Sequence, residues 1–273
     1  MASVRLTRQV SFSSGHRYWL PGLSEKENRA LFGRWASRYN HGHNYLLEAT
    51  VEGPVDPATG MVVNIKRIDD LLQAEVVDRF DGKSLNDEIS ELAGVVPCVE
   101  NLLRFVWKRL SAPGALPATA RLAALRLQET PEFYGEMTMD AITLTRVYEF
   151  AASHRLHAPG LSEKENLELY GKCNNPAGHG HNYLLEVTVS AKTDPRTGMS
   201  VDLNELDQSV SEQVVERYDH RNLSEDLPEF AGKPATSEVV AMEIFERLKG
   251  RVPGELIRIR LHETARNIFE VGA

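Results

Sequence analysis

Apolar and polar residues alternate over Val4, Leu6, Val10 and Phe12, and again over Ile142, Leu144 and Phe150, so each stretch reads as a β-strand with one buried face. Tyr45–Val51 and Tyr183–Val189 alternate in the same way. An Asp-Pro-x-Thr-Gly run follows each, at Asp56–Gly60 and Asp194–Gly198, and its turn chemistry predicts a hairpin that returns through Met61–Val63 or Met199–Val201. The period then changes. Ile65, Ile68, Leu71, Leu72 and Val76 have helical spacing, as do Val239, Met242, Ile244, Phe245 and Leu248. Further strands are predicted at about 121–129, 133–138, 256–262 and 268–271, and the stretch of about 25 residues after each first strand reads as loop. Strands and helices come in segregated runs, which predicts an α+β fold built on an antiparallel sheet.

The pattern occurs twice. Displacing the chain by 138 residues lays 16–53 on 154–191 with 22 of 38 positions identical. Pro21–Asn28 repeats as 159–166, and His41–Glu48 repeats as 179–186. Arg79-Phe80-Asp81 returns as Arg217-Tyr218-Asp219. One domain is therefore expected in tandem, as copies 1–136 and 141–273 with a short linker around Gly135–Asp140.

Composition narrows the function classes. The 273 residues carry 39 acidic and 31 basic side chains, for a net charge of −8. That balance argues against general nucleic-acid or anionic-membrane binding. No apolar run approaches the ~20 residues of a spanning helix, and the first residues run straight into a strand pattern, so the expected compartment is the cytoplasm. Two cysteines, Cys98 and Cys173, are too few for a disulfide framework and are expected as free thiols.

The nine histidines change the picture more. His41 and His43 stand one residue apart at the start of a strand and project from the same face, and His16 can join them from the preceding strand. Three imidazoles without a fourth protein ligand match a catalytic zinc with one position open to substrate. His154, His179 and His181 repeat the set. A cupin-type site using Glu48 or Glu186 would require a glycine six residues before the first histidine, where Trp35 and Cys173 stand, and a third histidine downstream.

The run Leu169–Tyr183, with Ser153-His154 before it and Asp219-His220, Thr236-Ser237-Glu238 and His262-Glu263-Thr264 after it, resembles the 6-pyruvoyltetrahydropterin and 6-carboxytetrahydropterin synthase family. The resemblance implies a tunnelling fold, each unit an antiparallel four-stranded sheet with two helices on one face, units associating into barrels. It implies Zn2+ as cofactor, 7,8-dihydroneopterin triphosphate as substrate, and active sites between subunits. By the same resemblance Cys173 is the general base, Asp219 and His220 a proton relay, and Glu263 the anchor of the pterin ring. Glu238 with Thr236 or Ser237 is a further substrate contact, although Thr236 or Ser237 equally suits a helix cap. Arg155 and Lys164 are candidates for the triphosphate, and His157 and His262 receive no role.

The first copy departs from this pattern. Trp35 stands for Cys173, Gly82 for His220 and Cys98 for Thr236, so it cannot run the family chemistry from its own residues. It keeps His16, His41, His43 and Glu129, the counterpart of Glu263 after a four-residue deletion. It is either a degenerate partner or a contributor of walls to a site whose base lies in the second copy. Cys98 reads as a packed thiol. The leading expectation is a zinc-dependent, triphosphate-eliminating lyase forming 6-pyruvoyltetrahydropterin. The carboxy-forming reaction, a non-catalytic zinc- and pterin-binding protein, and an enzyme acting on a different purine- or pterin-like ring stay open. Unpaired strand edges predict a homo-oligomer, with three chains supplying six units or two chains supplying four.

Overall fold

The computed structural model describes residues 2–272, so the outer ends of the two copies, Met1 and Ala273, lie outside the described residues. The chain forms two compact units, one of residues up to Leu144 together with Lys192–Asp202, the other of Thr145–Ala191 and the chain from Leu203 onward.

In the first unit, β1 (Ser3–His16) and β2 (His41–Pro54) pair antiparallel along their full length, with His16 opposite His41. Two residues, β3 (Lys83–Ser84), run parallel to Ser14-Gly15. β4 (Arg121–Thr130) pairs with the other side of β2 and β5 (Phe133–Met137) with β4, in the order β5-β4-β2-β1-β3. The helices are α1 (Glu25–Phe32), α2 (Ile65–Leu72) and α3 (Val99–Leu110). α2 packs on β1, and α3 packs on β4 and β5.

The second unit repeats the arrangement with β6 (Ile142–His154), most of which lies in it, β7 (His179–Ser190), β8 (Arg221–Asn222), β9 (Glu255–Thr264) and β10 (Asn267–Gly272). Their order is β10-β9-β7-β6, with β8 parallel to Ala152-Ser153. Its helices are α4 (Glu163–Tyr170), α5 (Leu203–Val210) and α6 (Ser237–Leu248), and α6 packs on β9 and β10. The class is α+β.

Four expectations change. The sheet is mixed, because β3 and β8 pair in parallel; two residues carry no readable period. The stretch after each first strand contains a helix started by a capping box, Ser24 with Glu27 and Ser162 with Glu165. Met61–Val63 and Met199–Val201 form no returning strand. The Asp56 loop closes on itself, Asp56 N–H donating to the Met61 carbonyl at 2.9 Å, and Asn64 then accepts from Lys66 N–H at 3.0 Å, capping α2 and turning the chain into a helix. Finally, Gly135 lies within β5, and the chain reverses into β6 over Thr138–Ala141, where Thr138 N–H donates to the Ala141 carbonyl at 2.9 Å.

The same aromatic stack centres each core. Phe12 lies on Tyr45 at 5.0 Å with Phe80 tilted against it, and Phe150 lies on Tyr183 at 5.1 Å with Tyr218 edge-on. Such pairs add about 0.5–1.5 kcal/mol beyond their burial. Phe80 and Tyr218 arrive through a widened π turn after α2 and after α5, at Gln73–Val77 and Ser211–Val215. That turn also presents the next residue, so Asp81 accepts from Ser13 N–H and Asp219 from Ala151 N–H, each at 2.7 Å.

Asn28 and Asn166, both fully buried, hold the segment that leads to α1 and α4. Asn166 accepts from Ala158 N–H at 2.7 Å and donates to the carbonyls of Ala158, Leu161 and Ser162 at 3.0–3.1 Å. Asn166→Ala strands these buried backbone groups, so urea unfolding should show a loss of about 2–3 kcal/mol. A loss under about 0.5 kcal/mol would mean that the segment is held otherwise.

Candidate metal centre and active site

Strand pairing brings the histidines together. In each unit the last residue of the first strand, His16 or His154, meets the His-Gly-His that opens the second. The ligating atoms of His154, His179 and His181 lie within 4.8 Å of one another, as do those of His16, His41 and His43. A carbonyl can only accept, so the Ala235 carbonyl, 2.8 Å from His154 Nδ1, fixes the proton there and leaves Nε2 bare. Pro97 does the same for His16 at 2.9 Å. His154 Nε2, His181 Nε2 and His179 Nδ1 are buried without a hydrogen-bond partner, as are His16 Nε2 and His43 Nε2. Converging bare imidazole nitrogens are costly unless a cation takes their lone pairs, and the three converging histidines of each unit fit zinc.

Burial also disfavours the charged form of His16, His43, His154 and His179. It lowers His16 to about 3, with His41 and His43 adding repulsion, and lowers His43 to about 4. His154 and His179 are lowered for the same first reason.

Glu263 faces the second triad, its Oε1 3.9 Å from His154 Nε2 and 3.8 Å from His181 Nε2. Ser237 Oγ donates to Oε1 at 2.6 Å and Asn267 Nδ2 to Oε2 at 2.9 Å. Burial works to raise its pKa, but these two donors and the histidines outweigh it, and the carboxylate is held below its usual range. Asn267 escaped the sequence reading, since an asparagine in a strand-to-strand turn looks like ordinary turn chemistry. Glu129 stands alike in the first unit, 3.9 Å from His16 Nε2 and 3.7 Å from His43 Nε2.

Asp219 bridges the end of its helix and the sheet. Its Oδ1 takes Ala151 N–H, and its Oδ2 lies 2.8 Å from His220 Nδ1. These bonds, the backbone one first, lower its pKa. His220 is the one described non-glycine residue with positive φ, at +57°, a conformation that costs about 1–3 kcal/mol. It lines a cleft of about 690 Å³ with His181, Asn182, Glu263 and Ser153.

Comparison with known proteins places this architecture. The family model for 6-pyruvoyl tetrahydropterin synthase matches residues 5–139 and again 143–273. The chain belongs to that family. It is similar to the 6-pyruvoyl tetrahydrobiopterin synthase of Poecilia reticulata, 48% identical over 126 residues that make 46% of this chain and 86% of that protein. The human protein of the same name is 45% identical over 46% of this chain and 87% of its own length. Among solved structures, the Caenorhabditis elegans 6-pyruvoyl tetrahydropterin synthase shares 44% identity over 48% of this chain and 94% of that one, with a TM-score of 0.46.

The structure also locates the remaining family positions. Cys173 is half-buried in the tight turn Gly171–Asn174 after α4, and its carbonyl accepts from Leu156 N–H at 2.9 Å, tying that turn to the segment after His154. It is not among the residues lining the cleft, nor are Thr236, Ser237 and Glu238. Thr236 caps α6 by accepting from Val239 N–H at 3.4 Å, and Glu238 is exposed. Arg155 is engaged with Asn174 and Glu163, while Lys164 is an exposed partner of Glu168. His157 bonds Asn174 and His262 bonds Glu186, at 3.1 and 2.9 Å. Cys98 is fully buried, and desolvation pushes its thiol well up, which suits a packed side chain and disqualifies a base.

The lowered histidines set an acid limit. An unfolded histidine binds a proton near pH 6.5, whereas folded His16 and His43 resist it until about 3 and about 4, so the unfolded state holds more protons in between and stability falls as pH drops. Chelator-treated protein should keep a constant Tm above about pH 7 and lose Tm steadily from 6.5 to 5. An unchanged Tm across that window would mean that the rings titrate normally.

Proposed function

We propose that the chain converts 7,8-dihydroneopterin triphosphate to 6-pyruvoyltetrahydropterin, with the chemistry in the second copy, residues 141–273. The observation that carries this reading is the bare-nitrogen triad beside a carboxylate fixed by two donors, with His181 of the triad and that carboxylate lining a cleft that also holds an aspartate-paired histidine. The names of the relatives, at 45–48% identity, support the same product.

His154, His179 and His181 would hold Zn2+, which when bound supplies a Lewis acid that makes C–H protons beside the substrate's hydroxyls removable. Glu263, kept ionised and in place by Ser237 and Asn267, accepts two parallel hydrogen bonds from the 2-amino and N3 positions of the pterin. The Cys173 thiolate removes a side-chain proton, and His220, oriented through Nδ1 by Asp219, returns one. Thr236 and Glu238 border the ring.

The first copy, residues 1–136, keeps a zinc triad and a carboxylate without the base or the relay. Val99 and Phe133 stand where Ser237 and Asn267 stand, so neither of the two side chains that fix Glu263 is repeated in the first copy. We assign it a scaffolding role in a homo-oligomer of tunnelling-fold units closing into barrels, with three chains making a pseudo-hexamer, in the cytoplasm. Among the described residues no helix is long and apolar enough to cross a membrane.

Mass spectrometry of the products from dihydroneopterin triphosphate tests the reaction directly. Cys173→Ala should lower turnover on the order of 10²–10⁴-fold with zinc per chain unchanged; wild-type turnover in this variant would sink the assignment. Glu263→Gln should raise KM more than it lowers kcat, since it exchanges a charged acceptor for a neutral one on a non-reacting part of the substrate.

A further inference from the structure

The Asp194 loop belongs to the first unit and is seated on the start of α3. Glu100, almost wholly buried, accepts from Ser200 N–H at 2.7 Å and from Ser200 Oγ at 3.0 Å. Asn101 donates to the Thr197 carbonyl at 2.9 Å, and Arg104 donates to the Gly198 carbonyl at 2.7 Å and to Thr193 Oγ1 at 2.6 Å. Met199 packs into the apolar cluster of Tyr18, Phe32 and Cys98, beside Leu31 and Trp35. Gly198, at φ +78°, sits so close that a Cβ would come within 2.1 Å of Asn101.

The repeat supplies a second loop and a second seat, and both are open. In the Asp56 loop, Val55 and Met61 are 40% and 42% exposed. On the second unit, Met242 of α6 is 61% exposed and Leu169, the counterpart of Leu31, is 62% exposed. Their chemistry has changed together. The occupied pair is polar on both sides, Thr193 and Ser200 against Asn101 and Arg104; in the open pair the same positions read Val55 and Val62 against Val239 and Met242. The carboxylate that receives the loop's backbone N–H is kept, as Glu238, and so are the loop methionine and its leucine neighbour, as Met61 and Leu169.

We infer that the Asp56 loop of one chain docks on the α6 start and Leu169 of a second copy of this chain. Glu238 then accepts from Val62 N–H, and Met61 covers Leu169 next to the turn that carries Cys173. The catalytic copy is thus walled on that side by a neighbouring chain. Exchanging the seats would set four apolar positions against four polar ones, which bars it, and a loop of one copy meeting a seat of the other makes a heterologous contact, the kind that forms a ring where the rotation between chains closes. The inference rests on the homo-oligomer proposed above and specifies its contact.

Size-exclusion chromatography with light scattering and thiol cross-linking test it without recourse to turnover. Val239→Asn with Met242→Arg, both outside the core, should release single chains of 30.6 kDa that keep their zinc and Tm. Adding Val55→Thr and Val62→Ser, which rebuilds the polar pair, should restore the assembly. Val55→Cys with Met242→Cys should give interchain disulfide ladders that neither single variant gives. An unchanged mass in Val239→Asn/Met242→Arg, or disulfides confined within one chain, would overturn the contact. Intact assembly and ladders with no turnover in the wild type would overturn the proposed reaction instead.

Discussion

The hydrogen bond from His154 Nδ1 to the Ala235 carbonyl is the constraint on which the site depends. It fixes which nitrogen is protonated, and so leaves Nε2 free to meet those of the His-Gly-His strand. It also pins the loop before α6. Two residues later Ser237 donates to Glu263, so one short segment sets His154 and Glu263 relative to each other. The first unit keeps the first half of this device, His16 to Pro97, and loses the second at Val99. The bond that orients the histidine and the bond that fixes the carboxylate are thereby separable in this fold, although they share a loop.

Asp219 shows a similar division of labour. Its bond to Ala151 N–H has an exact parallel in Asp81 and Ser13, in a unit where no histidine follows. Tying the π turn to the sheet is therefore a structural duty of this carboxylate that needs no histidine, and orienting His220 employs its second oxygen. A relay placed on a side chain already fixed by the backbone needs little further ordering.

Much of this was legible in the sequence where periods are long and residue types unambiguous. The long strands, α2, α6 and both triads follow from alternation, helical spacing and the repeat. α1 and α4 did not, because half of the eight residues in each are charged and each turns inward a buried asparagine, a polar residue that no hydrophobic period detects. The returning strand after Asp56 was a misreading of good turn chemistry, since the turn is real but Asn64 takes the chain onward. The Ser237-Glu263-Asn267 arrangement joins residues 26 apart through folding alone, and the pairing of loops with seats needed one seated loop to be seen before the substitutions around the other made sense.

The left-handed backbone at His220 reaches beyond its own hydrogen bond. A glycine adopts that conformation freely, as Gly82 does at φ +71°, so folding free energy and chemistry favour opposite residues at this one position. Selection of variants for heat tolerance alone would drift toward glycine here, and only selection for the proton-returning role proposed for this histidine would hold it in place.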